Sequence, residues 1–260
     1  FGAARDEGIN LIDTAECYGD HLSEELTGAA IRHDREKWIL ATKFGHKFHG
    51  NFDRSTDYSP KGVRRQLEDS LRALKTDYVD LYQFHSGPMD QLRNDDLWQM
   101  LAVEKEKGKI RHLGISIRKD APDDEQLEQV ERAIAIGVET IQIVFNRLER
   151  TPEERVLPRC AELDLGVLAR VPLASGFLSG KYDESATFPE SDVRSRNLDS
   201  TRDQIQEAIR IKREEVPEGV NMAQWALAWC LENPAVTAVI PGTKSGEQAR
   251  SNAGAAELAK

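Results

Sequence analysis

Seven short runs rich in Ile, Val, Leu and aromatic residues recur along the chain, and helical stretches separate them. The runs lie at 10–14, 38–43, 78–85, 110–116, 139–146, 166–172 and 235–240. Near-continuous apolar strands alternating with helices imply a parallel sheet, because parallel neighbours need a crossover and a helix supplies it. Such crossovers are right-handed. Ser59 is an N-cap ahead of Pro60, and Val63, Leu67, Leu71 and Leu74 form one stripe, which predicts a helix over 60–74. Leu127, Val130 and Ile134 predict another over 124–136, with Gly137 as its stop. Thr151-Pro152-Glu153-Glu154 reads as a capping box opening a helix over 151–164, in which Pro158 demands a kink or a later start. Residues 221–232 are apolar almost all round (Met222, Trp225, Leu227, Trp229, Leu231), so a helix buried on several sides is expected there.

Seven βα units are one short of an eight-stranded (β/α)8 TIM barrel, and 260 residues suit one such α/β domain spanning 1–260. Ala3 to Gly8 reads as the tail of a helix, which places the missing first strand upstream of Phe1. A doubly wound open sheet is the alternative, but no G-x-G-x-x-G follows the first run. Loops 44–58 and 174–200 are long, and in a barrel the loops that follow strands build the catalytic face. The formal charge of −10 disfavours nonspecific binding of nucleic acid or an anionic membrane. No run approaches the roughly 18–20 apolar residues of a membrane span, and FGAARDEG lacks the marks of a signal peptide. Cys17, Cys160 and Cys230 are few and scattered, which suits a reducing compartment and leads us to expect a cytoplasmic protein.

Three successive runs end in groups that move protons or hold charge. The first ends with Asp13, five residues before Tyr18; the next two end in Lys43 and His85. Singly, each reads as a capping Asp, a solvated rim residue or a ring covering the barrel end. Together, at adjacent strand ends, they suit carbonyl reduction. A tyrosine donates a proton poorly near neutrality because its unperturbed pKa is about 10, and a nearby ammonium lowers that value. Lys43 can supply the charge and Asp13 can hold Lys43. His85 can orient a carbonyl oxygen if neutral or share a proton with Tyr18 if charged. Tyr18 then protonates the oxygen while an outside hydride attacks carbon.

A second constellation lies at the carboxyl end, in Pro241-Gly242-Thr243-Lys244-Ser245-Gly246-Glu247-Gln248. Ser245 and Gln248 have capping-box spacing, so a helix should begin there and run to about Leu258. Its free N–H groups and dipole attract an anion, Lys244 adds charge, and a nucleotide phosphate is the natural guest. An ordinary capped helix with an exposed lysine is the plainer reading.

The two constellations together resemble the aldo-keto reductase superfamily along nearly the whole chain. NLIDTAECYG resembles the signature carrying the catalytic Asp and Tyr, ATKFG the one carrying Lys43, and DYVDLYQFH the one carrying His85. In GKIRHLGIS, Ser116 corresponds to a residue that binds the nicotinamide amide; Ile117 stands where the family usually has Asn. Gln142, in ETIQIVFN, matches the other amide-binding residue. Arg170 stands where many members stack a Tyr on the nicotinamide, and its flat guanidinium can also stack. VPLASGFLSGKY resembles the pyrophosphate loop, with Pro172, Leu173, Gly176, Leu178, Gly180 and Lys181. IPGTKSGEQARSN resembles the adenosine-phosphate motif, with Gly242, Thr243, Lys244, Ser245, Gln248 and Asn252; some members have Arg at Gln248, for which Lys244 and Arg250 can compensate. The resemblance implies an NADP(H)-dependent oxidoreductase that reduces small aldehydes and ketones to alcohols without a metal. His46 and His49 form H-x-x-H but have no third ligand in sight, and Cys17 reads as a small filler.

Two other classes of function fit the same scaffold. One is a regulatory NADPH-binding subunit, since fold does not fix function. The other is an isomerase or lyase using Lys43 as a Schiff base, which a paired Asp13 opposes. Phe44, Phe48, Phe52 and Trp98 are candidates for an apolar pocket wall, with helix core as the alternative for Trp98.

Overall fold

A computed structural model describes residues 1–50 and 53–259. The chain opens with helix α1 (Gly2–Asp6), strand β1 (Leu11–Asp13) and α2 (Leu22–Ile31). Strand β2 (Ile39–Phe44) follows, then a hairpin of β3 (His46–Gly50) and β4 (Asp53–Thr56), and α3 (Pro60–Leu74). Next come β5 (Val79–His85), α4 (Met89–Leu92), α5 (Asp95–Glu106), β6 (Ile110–Ser116) and α6 (Asp123–Ala135). The last part contains β7 (Thr140–Val144), α7 (Val156–Glu162), β8 (Gly166–Arg170), α8 (Leu198–Glu214) and α9 (Met222–Leu231). It ends with β9 (Ala238–Ile240), α10 (Gly246–Ala253) and α11 (Ala255–Leu258).

Seven strands form one parallel sheet in the order β1-β2-β5-β6-β7-β8-β9, and the hairpin forms a separate two-stranded sheet. Neighbours in the order follow one another along the chain, as in a (β/α)8 barrel. Among the described residues no ladder joins β1 to β9. Alternation sorts each strand's residues between two cores. Ala41, Leu81 and Leu168, with partly buried Leu11 and Ala238, fill the inside of the sheet near the strand starts. Leu40, Phe44, Tyr82, Phe84, Leu113 and Ile141 face outward and pack with Val63, Leu67, Leu97, Leu101 and Val130 of the helix layer. Further along the strands the inward positions turn polar, and the site lies there.

The α3 helix forms as expected, with the Ser59 hydroxyl accepting from the Gly62 N–H and Pro60 at the start. The α9 helix has no exposed residue, in keeping with its uniform apolarity. The helix expected over 151–164 starts late: a 3-10 turn occupies Thr151–Glu153, and α7 begins at Val156. Pro158 thus falls in a first turn, where its missing N–H has no partner to lose. The Thr151 capping box does not form, because its hydroxyl donates to Glu149 instead, at 2.5 Å. The helix expected from 245 to about 258 breaks at Gly254, where a Cβ would lie 2.6 Å from Gln224 Nε2. Helices α2, α5 and α8 are not singled out by the sequence stripes above. The 44–58 segment contains the β3–β4 hairpin, and the 174–200 segment contains 3-10 turns at Ala174–Ser179 and Val193–Ser195. Among the described residues no helix is long and apolar enough to cross a membrane.

Two glycines carry close approaches. Gly45 has φ +113° and lies against the ring of Tyr58, which lets β2 turn sharply into β3. Gly28 brings α2 against the end of α3, and a Cβ there would stand 2.3 Å from the Leu74 carbonyl oxygen. That obstacle is backbone and cannot rotate away. Gly28→Ala should therefore destabilise the fold by about 1–3 kcal/mol, the usual range for overpacking. Equilibrium denaturation in urea measures this, and an unchanged midpoint would refute the close α2–α3 contact.

Candidate active site

The carboxyl ends of the strands bring Asp13, Lys43 and His85 to one rim, with Tyr18 above them. Lys43 is almost fully buried and donates from Nζ to Asp13 Oδ2 at 2.6 Å and to the Thr14 carbonyl at 2.7 Å. Burial works against its ammonium, but the charge of Asp13, then of Tyr18, and the hydrogen bond to Asp13 outweigh it, so its pKa is raised. The other oxygen of Asp13 accepts two amide donors: Gln83 Nε2 at 3.0 Å and Gln142 Nε2 at 2.8 Å. The Ser116 hydroxyl donates to Gln142 Oε1 at 3.1 Å. The two residues matched to amide binding are therefore in contact, and Gln142 links them to Asp13. Sequence reasoning missed Gln83, although it lies two residues before His85 and alternation alone turns it inward.

Tyr18 lies in a tight turn after β1, is 40 % exposed, and has the Lys43 ammonium 5.1 Å from its ring centroid. Its ring meets that of His85 edge-on at 6.2 Å. His85 is buried, its carbonyl accepts from the Tyr58 hydroxyl at 2.7 Å, and its Nδ1 lies 3.8 Å from Cys17 Sγ. Burial first, and then the positive charge of Lys43, hold its pKa well below the usual histidine value. Of the two roles open to it, the neutral one is favoured. His46 stacks on it, with centroids 4.4 Å apart and planes at 23°. Burial lowers the His46 pKa to about 4.

Cys17 Sγ and the nitrogens of His46 and His85 lie within 4.8 Å of one another. Burial also pushes the Cys17 thiol up to about 12. Burial favours the neutral form of all three groups. His49 faces the Ser55 hydroxyl, 2.7 Å away, outside the cluster. Of the expected pocket wall, Phe44 and Trp98 belong to the hydrophobic core, because alternation turns Phe44 toward the helices and Trp98 packs on Phe84. Phe48 lines a groove of about 1040 Å³ together with Glu16 and His46. Phe52 lies outside the described residues.

A cleft of about 850 Å³ runs from Asp13 and Tyr18 toward the carboxyl end of the chain. Gln142, Arg170, Pro172, Leu173, Gly176 and Lys181 line it, as do Gly242, Thr243, Lys244, Gln248 and Asn252. Arg170 donates to the Ile117 carbonyl at 3.0 Å, so Ile117 serves through its backbone while its side chain is buried. Four residues matched to cofactor binding do not line this cleft. Ser116 is buried behind Gln142. Leu178 is fully buried with Phe177, Ile205 and Ile211, because the 3-10 turn points it into the core. Gly180 has φ +76° and its carbonyl accepts from Lys212. Ser245 caps α10 by accepting from the Gln248 N–H at 3.2 Å. The structure adds Arg194, which no sequence pattern marks. It lines the cleft, donates to the Ser175 carbonyl and lies over the Phe188 ring. Val171, also lining, has φ +55°, a strained conformation for a β-branched residue of the kind that collects at functional sites.

Glu16, just before Cys17, is 4 % exposed, and one of its oxygens is buried without a partner. Its other oxygen accepts from the His46 N–H at 3.0 Å. Burial raises its pKa to about 8. A carboxyl protonated in the fold but ionised when unfolded stabilises the fold fully below about pH 4.5, and that stability is lost as pH rises through 8. Glu16→Gln removes the loss. Relative to the parent, the variant should gain on the order of a few kcal/mol between pH 5 and pH 8. Denaturation curves at the two values measure this, and a pH-independent difference would refute the protonated carboxyl.

A model of the Aldo/keto reductase family matches residues 2–260. The uncharacterized oxidoreductase YrpG of Bacillus subtilis is 34% identical over 98% of this chain and 80% of its own length. The aldo-keto reductase AKR11C1 from Bacillus halodurans, in its holo form, superposes with a TM-score of 0.79 at 30% identity, over 98% of this chain and 80% of that one. An aldo/keto reductase from Klebsiella pneumoniae, solved in complex with NADP and acetate, gives 0.71 at 27% identity, over 97% and 76% of the two chains. With the strand order, the Asp13–Lys43 pair and the long cleft already in place, these likenesses show that the chain belongs to the aldo/keto reductase family.

Proposed function

We propose that the chain reduces small aldehydes and ketones with NADPH, with Tyr18 as general acid. Family membership makes it an NAD(P)H-dependent oxidoreductase. The observation that carries the finer reading is the half-open Tyr18 ring beside a buried ammonium, itself tied to Asp13, at one end of an elongated cleft.

The cleft suits a dinucleotide. Arg170, Lys181 and Lys244 give it cations, with Arg194 held by Asp192 at 2.6 Å, and the capped start of α10 adds oriented N–H groups. Arg170 Nε is buried without a partner, a donor that a ligand would satisfy. Gln142 would hold the carboxamide, with Ser116 behind it donating to its Oε1, Arg170 would stack on the ring, and Lys244 would meet a 2′-phosphate. Arg250 contributes less there, since Glu7 stands 4.0 Å from its guanidinium. NADPH, when bound, supplies the hydride. Tyr18 gives its proton to the carbonyl oxygen, and the Lys43 ammonium stabilises the charge left on the phenolic oxygen. Asp13 keeps Lys43 charged and in place. If the Cys17 thiol donates to His85 Nδ1, the other ring nitrogen carries the hydrogen and can donate to the same carbonyl oxygen. A Schiff base would require a neutral lysine, which Asp13 opposes. Three free, buried cysteines accord with a reducing, cytoplasmic setting as part of this reading.

The test is NADPH oxidation with a panel of small aldehydes. Tyr18→Phe should lower kcat by about 10²–10⁴ while NADPH binding persists. Undiminished turnover would remove Tyr18 as proton donor. A parent that binds NADPH but turns over no carbonyl compound would favour the regulatory-subunit reading.

A further inference from the structure

We propose that Gln83 is a positioning residue that couples the carboxamide end of the site to the Asp13–Lys43 pair, an inference that rests on the carbonyl-reductase reading above. Gln83 is fully buried, and its side chain points into the barrel from β5. In the ladder it lies opposite Lys43 on one side and Gly114 on the other. Its amide is used at both ends. Nε2 donates to Asp13 Oδ1 at 3.0 Å, and Oε1 accepts from Gln142 Nε2 at 3.2 Å.

The geometry determines which way Asp13 points. A carboxylate held only by Lys43 can swing about its own axis. With Gln83 and Gln142 both on Oδ1, Oδ2 is aimed at Lys43. Gln142 is also the residue matched to the cofactor's carboxamide, so its hold on Asp13 changes when that amide competes for it. Gln83 has no such second call on it. It keeps Asp13 oriented and, through its contact with Gln142, senses whether the amide subsite is filled.

Gly114 supplies an independent sign that the site is shaped around this side chain. A Cβ on Gly114 would lie 2.9 Å from Gln83 Cγ and 3.1 Å from a Leu81 methyl, closer than carbon atoms pack. Glycine in a buried strand weakens the strand. Its presence beside Gln83 leaves that side chain room to reach Asp13.

The experiment compares the pH dependence of kcat and the KM for NADPH in the parent, Gln83→Met and Gln83→Glu, with folding checked by thermal melting. Gln83→Met keeps the length and removes both hydrogen bonds. It should lower kcat about tenfold, raise the KM for NADPH severalfold, and move the basic limb of the profile to lower pH. The direction follows because burial lowers the pKa of Lys43 and a well-aimed Asp13 raises it. Gln83→Glu places a second carboxylate beside Asp13 and should move the acid limb to higher pH, since like charges raise one carboxyl pKa. If Gln83→Met fails to fold, Gln83→Glu decides alone. A uniform fall in kcat with both limbs unmoved would mean that Gln83 only fills space, and an unaltered kcat and KM would likewise overturn the proposal. Failure of the carbonyl-reductase reading is distinguishable, because the parent itself would then turn over no aldehyde at any pH.

Discussion

The contact between Lys43 Nζ and Asp13 Oδ2, 2.6 Å long and almost removed from water, is the constraint around which the inside of the barrel is organised. Burying two charges is expensive, and their mutual attraction offsets the desolvation only where the remaining lone pairs and protons are also met. Here they are met. The Thr14 carbonyl takes a second proton of Lys43, and Gln83 and Gln142 saturate the far oxygen of Asp13. The polar side chains that line the upper barrel therefore follow from one ion pair. An apolar barrel at this level would leave the pair without partners, while one with the lysine alone would drive it toward the neutral amine.

Around the pair, groups are sorted by charge. Lys43 is held charged by its contact with Asp13. His85, His46 and Glu16 are held neutral, each chiefly by burial. The cations Arg170, Lys181, Arg194 and Lys244 lie along the cleft. Glu16 and His46 line the groove and the four cations line the cleft, so the two sets are kept apart. The hairpin lines the groove, and the segment after β8 lines the cleft.

Much of this was legible beforehand because it depends on local spacing. Asp13, Lys43 and His85 end apolar runs, so parallel strands of similar length bring them together without further information. Ser59–Pro60 and the stripe of α3 depend only on neighbours in sequence, as does the Ser245 cap. Where reading failed, the deciding partner was remote. Phe44 and Trp98 are as apolar as any pocket wall, but strand alternation and Phe84 assign them to the core. Thr151 has capping-box spacing, but Glu149 claims its hydroxyl. Leu178 lies within the motif of the pyrophosphate loop, yet the turn beneath it directs the side chain into a cluster with α8 and α9.

The sequence by itself determined the parallel βα architecture, the placing of Asp13, Lys43 and His85 at three strand ends and the Ser245 cap of α10. All three follow from periodicity, capping and residue chemistry within a few positions of one another. Only the tertiary structure decided which groups burial shifts, the orientation of Asp13 and the contacts of Gln83. A pKa depends on how deeply a group is buried and on charges brought from distant strands. Likewise, Gln142 reaches Asp13 across 129 positions of sequence, a meeting that exists only once the sheet has curled.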